Sequence, residues 1–193
     1  VGLGSGGLED RGPGWTYEGW LIENGVPIST GTFSVAADGS LSQMYFTADV
    51  TDVAQIAAFV LSIEPSPDSD PAPSSVKLLG GNFMSGSAHA TVAHAAALGD
   101  DFSAASGSYI LNAPSGGGAA EYFQGIWWLD PSTGPGSTLD LPSLPDGWVY
   151  EGWIAGSAGP VSTGRFSAVE GADSDGAGIT CGPAAFPPFP VQD

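Results

Sequence analysis

GWTYEGWLIENGVPISTGTFS (residues 14–34) returns as GWVYEGWIAGSAGPVSTGRFS (residues 147–167), at an offset of 133 and without a gap. Twelve of the 21 positions are identical, among them Trp15/Trp148, Tyr17/Tyr150, Glu18/Glu151, Trp20/Trp153, Gly31/Gly164 and Phe33/Phe166. An active site that works once per chain is not normally written twice, whereas a structural unit that a fold uses twice is. The duplication therefore points to architecture before chemistry. Read as a strand, the stretch places Trp15, Tyr17, Gly19 and Leu21 on one face and Thr16, Glu18, Trp20 and Ile22 on the other. Aromatic residues on both faces fit a strand covered on both sides, or one that displays a ligand platform. Gly19 and Gly152 remove a side chain where a neighbouring backbone or ring has to approach. Ser-Thr-Gly ahead of Phe33 and Phe166 reads as a bend or bulge before an inward-pointing ring.

Outward from this hairpin, runs rich in aromatic and β-branched residues recur between Gly, Pro, Asp and Ser. The pattern predicts strands over 15–22, 27–35, 41–48, 57–64, 75–79, 87–94, 108–112, 122–130, 148–155 and 160–168. Asn24-Gly25, Asp38-Gly39 and Asp146-Gly147 supply turn chemistry between them. The best helical candidate is short, 52–58, with Asp52 as its N-cap. The fold class this predicts is all-β, an antiparallel β-sandwich: two related small sandwiches or one extended one. The hairpin opens one half and closes the other, so the division expected is a first unit over 1–83 and a second over 84–193, ending in a Gly/Pro-rich tail. Pro/Ser/Thr-rich loops at 65–75 and 131–138 read as extended, exposed segments suited to O-linked glycans. No Asn-x-Ser/Thr sequon is present.

Charge narrows the partners. Twenty-one Asp and Glu stand against Arg11, Lys77 and Arg165, a net of −18. Such a surface repels phosphate backbones and anionic lipid, which excludes nucleic-acid binding. The longest apolar run, 56–61, is strand length, and no stretch approaches the roughly 20 residues of a membrane-spanning helix. Scarce lysine, a single cysteine (Cys181), Ser/Thr/Gly richness and a start at Val1 without Met fit an exported protein at the cell surface or outside it.

The candidate ligand platform is Trp15, Tyr17, Trp20, Trp127, Trp128, Trp148, Tyr150 and Trp153, because indole and phenol rings stack on sugar faces; packing is the competing role for the same rings. Glu18 and Glu151 are the only pair resembling a glycosidase carboxylate pair. Their equivalence in two copies argues against it, and no catalytic residue is expected. His89 and His94, five apart, fall on opposite faces of a strand and make a poor metal pair. Asp68/Asp70 and Asp173/Asp175 have the alternating spacing of calcium loops, but Gly182 stands where the EF-hand pattern needs a Glu. Calcium is accordingly the one cofactor these residues raise.

The pattern YEGWLI-x-NG-x-P-x-STGTF, carried by Tyr17, Trp20, Gly25, Pro27, Gly31 and Phe33, is joined by Phe59-Val-Leu-Ser-Ile-Glu-Pro65 and by Lys77 to Gly81. Together they resemble the extracytoplasmic domain of anti-sigma-K-factor-type proteins and its exported relatives in bacteria of the Bacteroidota kind. The resemblance covers roughly 15–83, with a partial echo at 147–167, and includes no catalytic residue. It implies a β-sandwich sensor or surface module outside the cytoplasmic membrane. A non-catalytic structural or surface module follows as the expectation, with self-association into a filament or array, or a cell-surface protein, as its partner. A carbohydrate-binding module is the alternative, and a glycoside hydrolase a distant third.

Overall fold

The turn at Asn24 and Gly25 sets the first sheet. Both residues take positive φ, 52° and 82°, the backbone of a two-residue type I′ hairpin whose twist matches that of its strands. The computed structural model describes residues 7–113, 118–134, 136–157, 159–174 and 191–192. In it the turn joins β1 (Trp15–Glu23) to β2 (Val26–Phe33). The chain then forms β3 (Ile56–Pro65), β4 (Lys77–Met84) and β5 (Ser87–Ala88), the last two joined by a second positive-φ pair, Ser85 and Gly86. All neighbours are antiparallel, in the order β2-β1-β3-β4-β5.

Later come β6 (Ile110–Leu111), a 3₁₀ helix at Ala119–Gln124, β7 (Ile126–Trp127), β8 (Tyr150–Gly156), β9 (Gly159–Phe166) and β10 (Val191–Gln192). They make a three-stranded sheet, β10-β7-β6, and the separate β8-β9 hairpin. With 38% strand against 5% helix, the protein is all-β and its sheets are antiparallel, as the strand patterning predicts.

The chain divides into two compact units, 1–101 with 145–147, and 102–144 with 148–193. The first unit thus runs past the expected boundary at 83/84. That boundary would cut β4, which continues to Met84, turns back into β5 and bonds again through Gly80 and Thr91.

In the first unit one face of the sheet is apolar. Tyr17, Leu21, Phe33, Phe59, Leu61 and Ile63 are buried there, with Tyr17 stacked on Phe33 at 5.4 Å between centroids. Phe46 tilts onto Phe33 at 5.6 Å. Phe46 belongs to the predicted strand 41–48, which instead is an irregular cover with isolated bridge residues at Leu41, paired with Val35, and at Tyr45. The physical reason is local: the Ser40 N–H donates to Asp38 Oδ1 at 2.9 Å and the Ser34 N–H to Ser42 Oγ at 2.9 Å, so side chains replace ladder bonds. The predicted helix at 52–58 shrinks to one 3₁₀ turn, Val53–Gln55, because residues from Ile56 onward join β3. Its N-cap is Asp52 as expected, accepting from the Ala54 N–H at 2.9 Å. Predicted strand 87–94 reduces to β5 plus the Thr91 bridge, and 122–130 begins in the 3₁₀ helix before β7.

Gly19 lies at a tight point of the sheet. A Cβ there would sit 2.5 Å from Thr30 Oγ1 and 3.0 Å from Phe59 Cε2. Gly19→Ala is therefore expected to cost about 1–3 kcal/mol through overpacking, read as a lower urea midpoint at unchanged slope. Gly14→Ala, with nothing within 4 Å of its Cβ, is the control and should stay within about 0.5 kcal/mol of the parent.

Candidate functional site

The duplicated hairpin is the feature that the sequence singles out, and each copy is clasped by the same side chains. In the first, Ser29 Oγ donates to Glu18 Oε1 and accepts from the Gly31 N–H at 3.0 Å. In the second, Ser162 Oγ donates to Glu151 Oε1 at 2.7 Å and accepts from the Gly164 N–H at 3.3 Å. Both clasps sit beside a bulge, at Gly19/Trp20 and at Glu151/Trp153. The bulge needs Gly31 and Gly164 at φ of 101° and 99°, a region open to glycine. On the opposite face Tyr17 stacks on Phe33 at 5.4 Å and Tyr150 on Phe166 at 5.5 Å. Each tyrosine hydroxyl then donates to a backbone carbonyl eight residues upstream, Glu9 and Pro142 respectively.

The copies differ in what lies beyond β1 and β8. β1 is flanked by β3, with Trp20 opposite Val60 and Glu18 opposite Ser62. Trp20 is 2% exposed, and its Nε1–H donates to Ser62 Oγ at 2.8 Å. Ser62 in turn donates to Glu64, a carboxylate only 1% exposed that also accepts from the Ser74 N–H at 2.9 Å. Indole, hydroxyl, carboxylate and amide thus form a connected buried chain, satisfied at each step. Beside it is an apolar recess of 320 Å³ lined by Trp20, Ile22, Pro27, Ala58, Val60, Pro73, Lys77 and Ala96. The Lys77 amine turns away to the Ser74 carbonyl at 3.0 Å, leaving its stem on the wall. In the second copy Trp153, the counterpart of Trp20, is 57% exposed.

The other predicted platform residues scatter. Trp15 is 51% exposed while Tyr17 and Trp20 are core. Trp127 and Trp128 are both half-buried; Trp127 Nε1–H donates to the Asn112 carbonyl at 2.9 Å, and Trp128 meets Tyr109 edge to face at 5.6 Å. The Trp148 Nε1 is buried without a hydrogen-bond partner among the described residues. Within each unit these rings form no continuous platform: packing claims Tyr17, Trp20 and Tyr150. Asp68 and Asp70 are exposed and accept from the backbone N–H two residues on, of Asp70 at 2.9 Å and Ala72 at 3.0 Å. Asp173 is buried, and Asp175 and Cys181 lie outside the described residues. No cluster of three or more His, Cys, Asp or Glu suited to a metal occurs among the described residues. His94 accepts from the Ala96 N–H through Nδ1 at 3.2 Å, so Nε2 is the donor to Asn82 Oδ1 at 3.1 Å.

The equivalent glutamates are driven in opposite directions. Burial raises Glu18 above the ordinary glutamate value, against the Ser29 hydroxyl and with the help of the charges on Glu64 and Asp68. Glu151 is lowered, first by the Ser162 hydroxyl and then by Arg165, whose Nε lies 3.2 Å from Oε2. Glu23 is lowered as well, by the backbone N–H groups of Asp52 and Thr51, which tie β1 to the chain entering β3. Ser29, Ser62, Ser162 and Glu64 are the residues that sequence reading passed over. Ser29 and Ser162 were findable, since they are identical at the repeat offset. No family model, curated protein or solved structure matches the chain.

These shifts predict pH profiles of opposite sign. A carboxyl with a raised native value contributes its full stability at low pH and loses it as pH rises above the ordinary glutamate range. Glu18→Gln should therefore unfold at a higher temperature than the parent at pH 7, an advantage that fades on acidification. Glu23 has a lowered value, so its contribution is present at neutral pH and is lost as pH falls below that range. Glu23→Gln should be less stable at pH 7 and lose less on acidification. Thermal unfolding from pH 3 to pH 8 checks both.

Proposed function

We propose that this chain is a non-catalytic structural module of the cell exterior, a building block of a surface layer or filament. The observation that carries the reading is the recurrence, in both hairpins, of the Glu–Ser clasp and the Tyr–Phe stack. The side chains with the greatest chemical capacity are engaged in holding hairpins together. A net charge of −18 supports the setting, since it keeps units soluble and away from anionic polymers. The Pro/Ser/Thr-rich loops would carry O-linked glycans on such a surface. Self-association through sheet edges is the mode of assembly that this architecture favours.

A second reading, a carbohydrate-binding module, has one observation in its favour. The Trp153 ring is 57% exposed, and an indole face in water is a stacking surface for a pyranose.

Two measurements separate the readings. Size-exclusion chromatography with light scattering should show mass rising above the 19.3 kDa monomer as concentration increases. Monomer alone at the highest concentration would overturn assembly. Tryptophan emission titrated with soluble polysaccharides should stay unchanged; a saturable shift that disappears in Trp153→Ala would instead establish carbohydrate binding.

A further inference from the structure

The two hairpins share a sequence but not their neighbours. We infer that the outward edge of β8 is an acceptor for a third strand carrying the β3 residue pattern, supplied by a separate polypeptide. The inference deepens the structural reading and rests on it.

β1 is hydrogen-bonded on both sides, by β2 and by β3, whereas β8 is bonded by β9 alone among the described residues. The far side of β9 is engaged. The Arg165 N–H donates to Ser174 Oγ at 3.0 Å, and the Arg165 carbonyl accepts from the Ser174 N–H at 2.8 Å. Among the described residues the open ladder is therefore that of β8, an edge of N–H and C=O groups that templates strand addition. Lysine and proline, which blunt such edges, are both missing from β8, whose sequence is YEGWIAG.

The side chains point to the same edge. In the first copy β3 covers Trp20 with Val60 and gives its indole an acceptor in Ser62. In the second copy Trp153 is 57% exposed and finds no such acceptor among the described residues. Leu21 is buried against its β3 partner Phe59, whereas its counterpart Ile154 is exposed. The difference does not come from the hairpins, which are clasped alike; it comes from the strand that, among the described residues, one of them has and the other lacks.

The occupant follows from the β1–β3 register. Val60 faces Trp20, Leu61 faces Gly19 and Ser62 faces Glu18. A strand on β8 needs a branched apolar residue opposite Trp153, a bulky one over Gly152 and a serine opposite Glu151 to accept from the indole. Residues 168–193 contain no second FVLSIEP. Another copy of the chain cannot lend its own β3, which is fixed between β1 and β4. The donor is thus an extended segment of a different protein chain, with apolar residues flanking a serine.

The test titrates the full chain with a peptide of the β3 sequence, IAAFVLSIEP, flanked by acidic residues so that charge opposes rather than drives binding. The peptide contains no tryptophan, so emission reports the protein alone. A saturable blue shift is expected, kept in Trp20→Phe and lost in Trp153→Phe, with far-UV circular dichroism confirming that both variants are folded. Replacing the peptide serine by alanine should weaken binding about five- to tenfold, the worth of one hydrogen bond. Replacing its leucine by proline should abolish it, because the ladder loses a donor at its centre. No shift, a shift that a scrambled peptide reproduces, or one that survives Trp153→Phe would each overturn the inference. Light scattering on the chain alone distinguishes the two levels. Self-association without peptide binding retains the structural module and removes the β8 acceptor; peptide binding without self-association retains the acceptor and removes the self-assembling module.

Discussion

A carboxylate drawn into a sheet must find donors or give up its charge, and this constraint organises both hairpins. Desolvating an unpaired carboxylate costs far more than a single hydrogen bond returns. Glu18 is buried in mid-strand, and its nearest donor is a serine on the partner strand. That serine reaches it only because the bulge beside it re-aims β2, and the bulge requires glycine at positive φ. Glu, Ser and Gly are one device, and the Tyr–Phe stack on the opposite face holds the strand pair at the separation the device needs.

What surrounds the clasp decides its electrostatics. In the first unit β3 brings Glu64 close and shuts out water, so Glu18 is pushed toward its neutral form. In the second unit Arg165 occupies the position equivalent to Thr32 and pulls Glu151 toward its charged form. The same residue at the same place in the same hairpin is thus shifted upward by burial in one copy and downward by a serine hydroxyl and an arginine in the other. The Arg165–Glu151 pair is exposed enough on the arginine side to be worth little by itself. Its consequence is local: together with the Ser162 hydroxyl it favours the charged form of Glu151.

Much of the architecture was legible in the chain before its structure was described. The Asn24-Gly25 turn, the Asp52 cap, the antiparallel all-β class and the equivalence of the two hairpins all rest on local chemistry, which a single sequence carries. The segment 41–48 was not legible, because its apolar alternation competes with Asp and Ser side chains that bond the backbone themselves. The buried chain through Ser62 and Glu64 was not legible either, since its link from Trp20 to Ser62 spans 42 residues and depends on the β1–β3 register. Trp20 and Trp153 make the limit plain. The sequences leading into them are nearly the same, so that stretch does not separate a core indole from a displayed one; among the described residues the third strand does.

That contrast bears on why the second hairpin keeps its tryptophan. A hairpin that needed only its clasp and its ring stack could carry a polar residue at 153, since neither feature touches that side chain. A large indole more than half exposed leaves apolar surface in water, at roughly 25 cal/mol for each Å² that burial would remove. That cost disappears when a strand lies along β8. Gly152, by contrast, is explained within the hairpin: a Cβ there would sit 2.1 Å from Thr163 Oγ1, as one on Gly19 would sit 2.5 Å from Thr30 Oγ1. The retained indole is therefore the residue for which a third strand accounts.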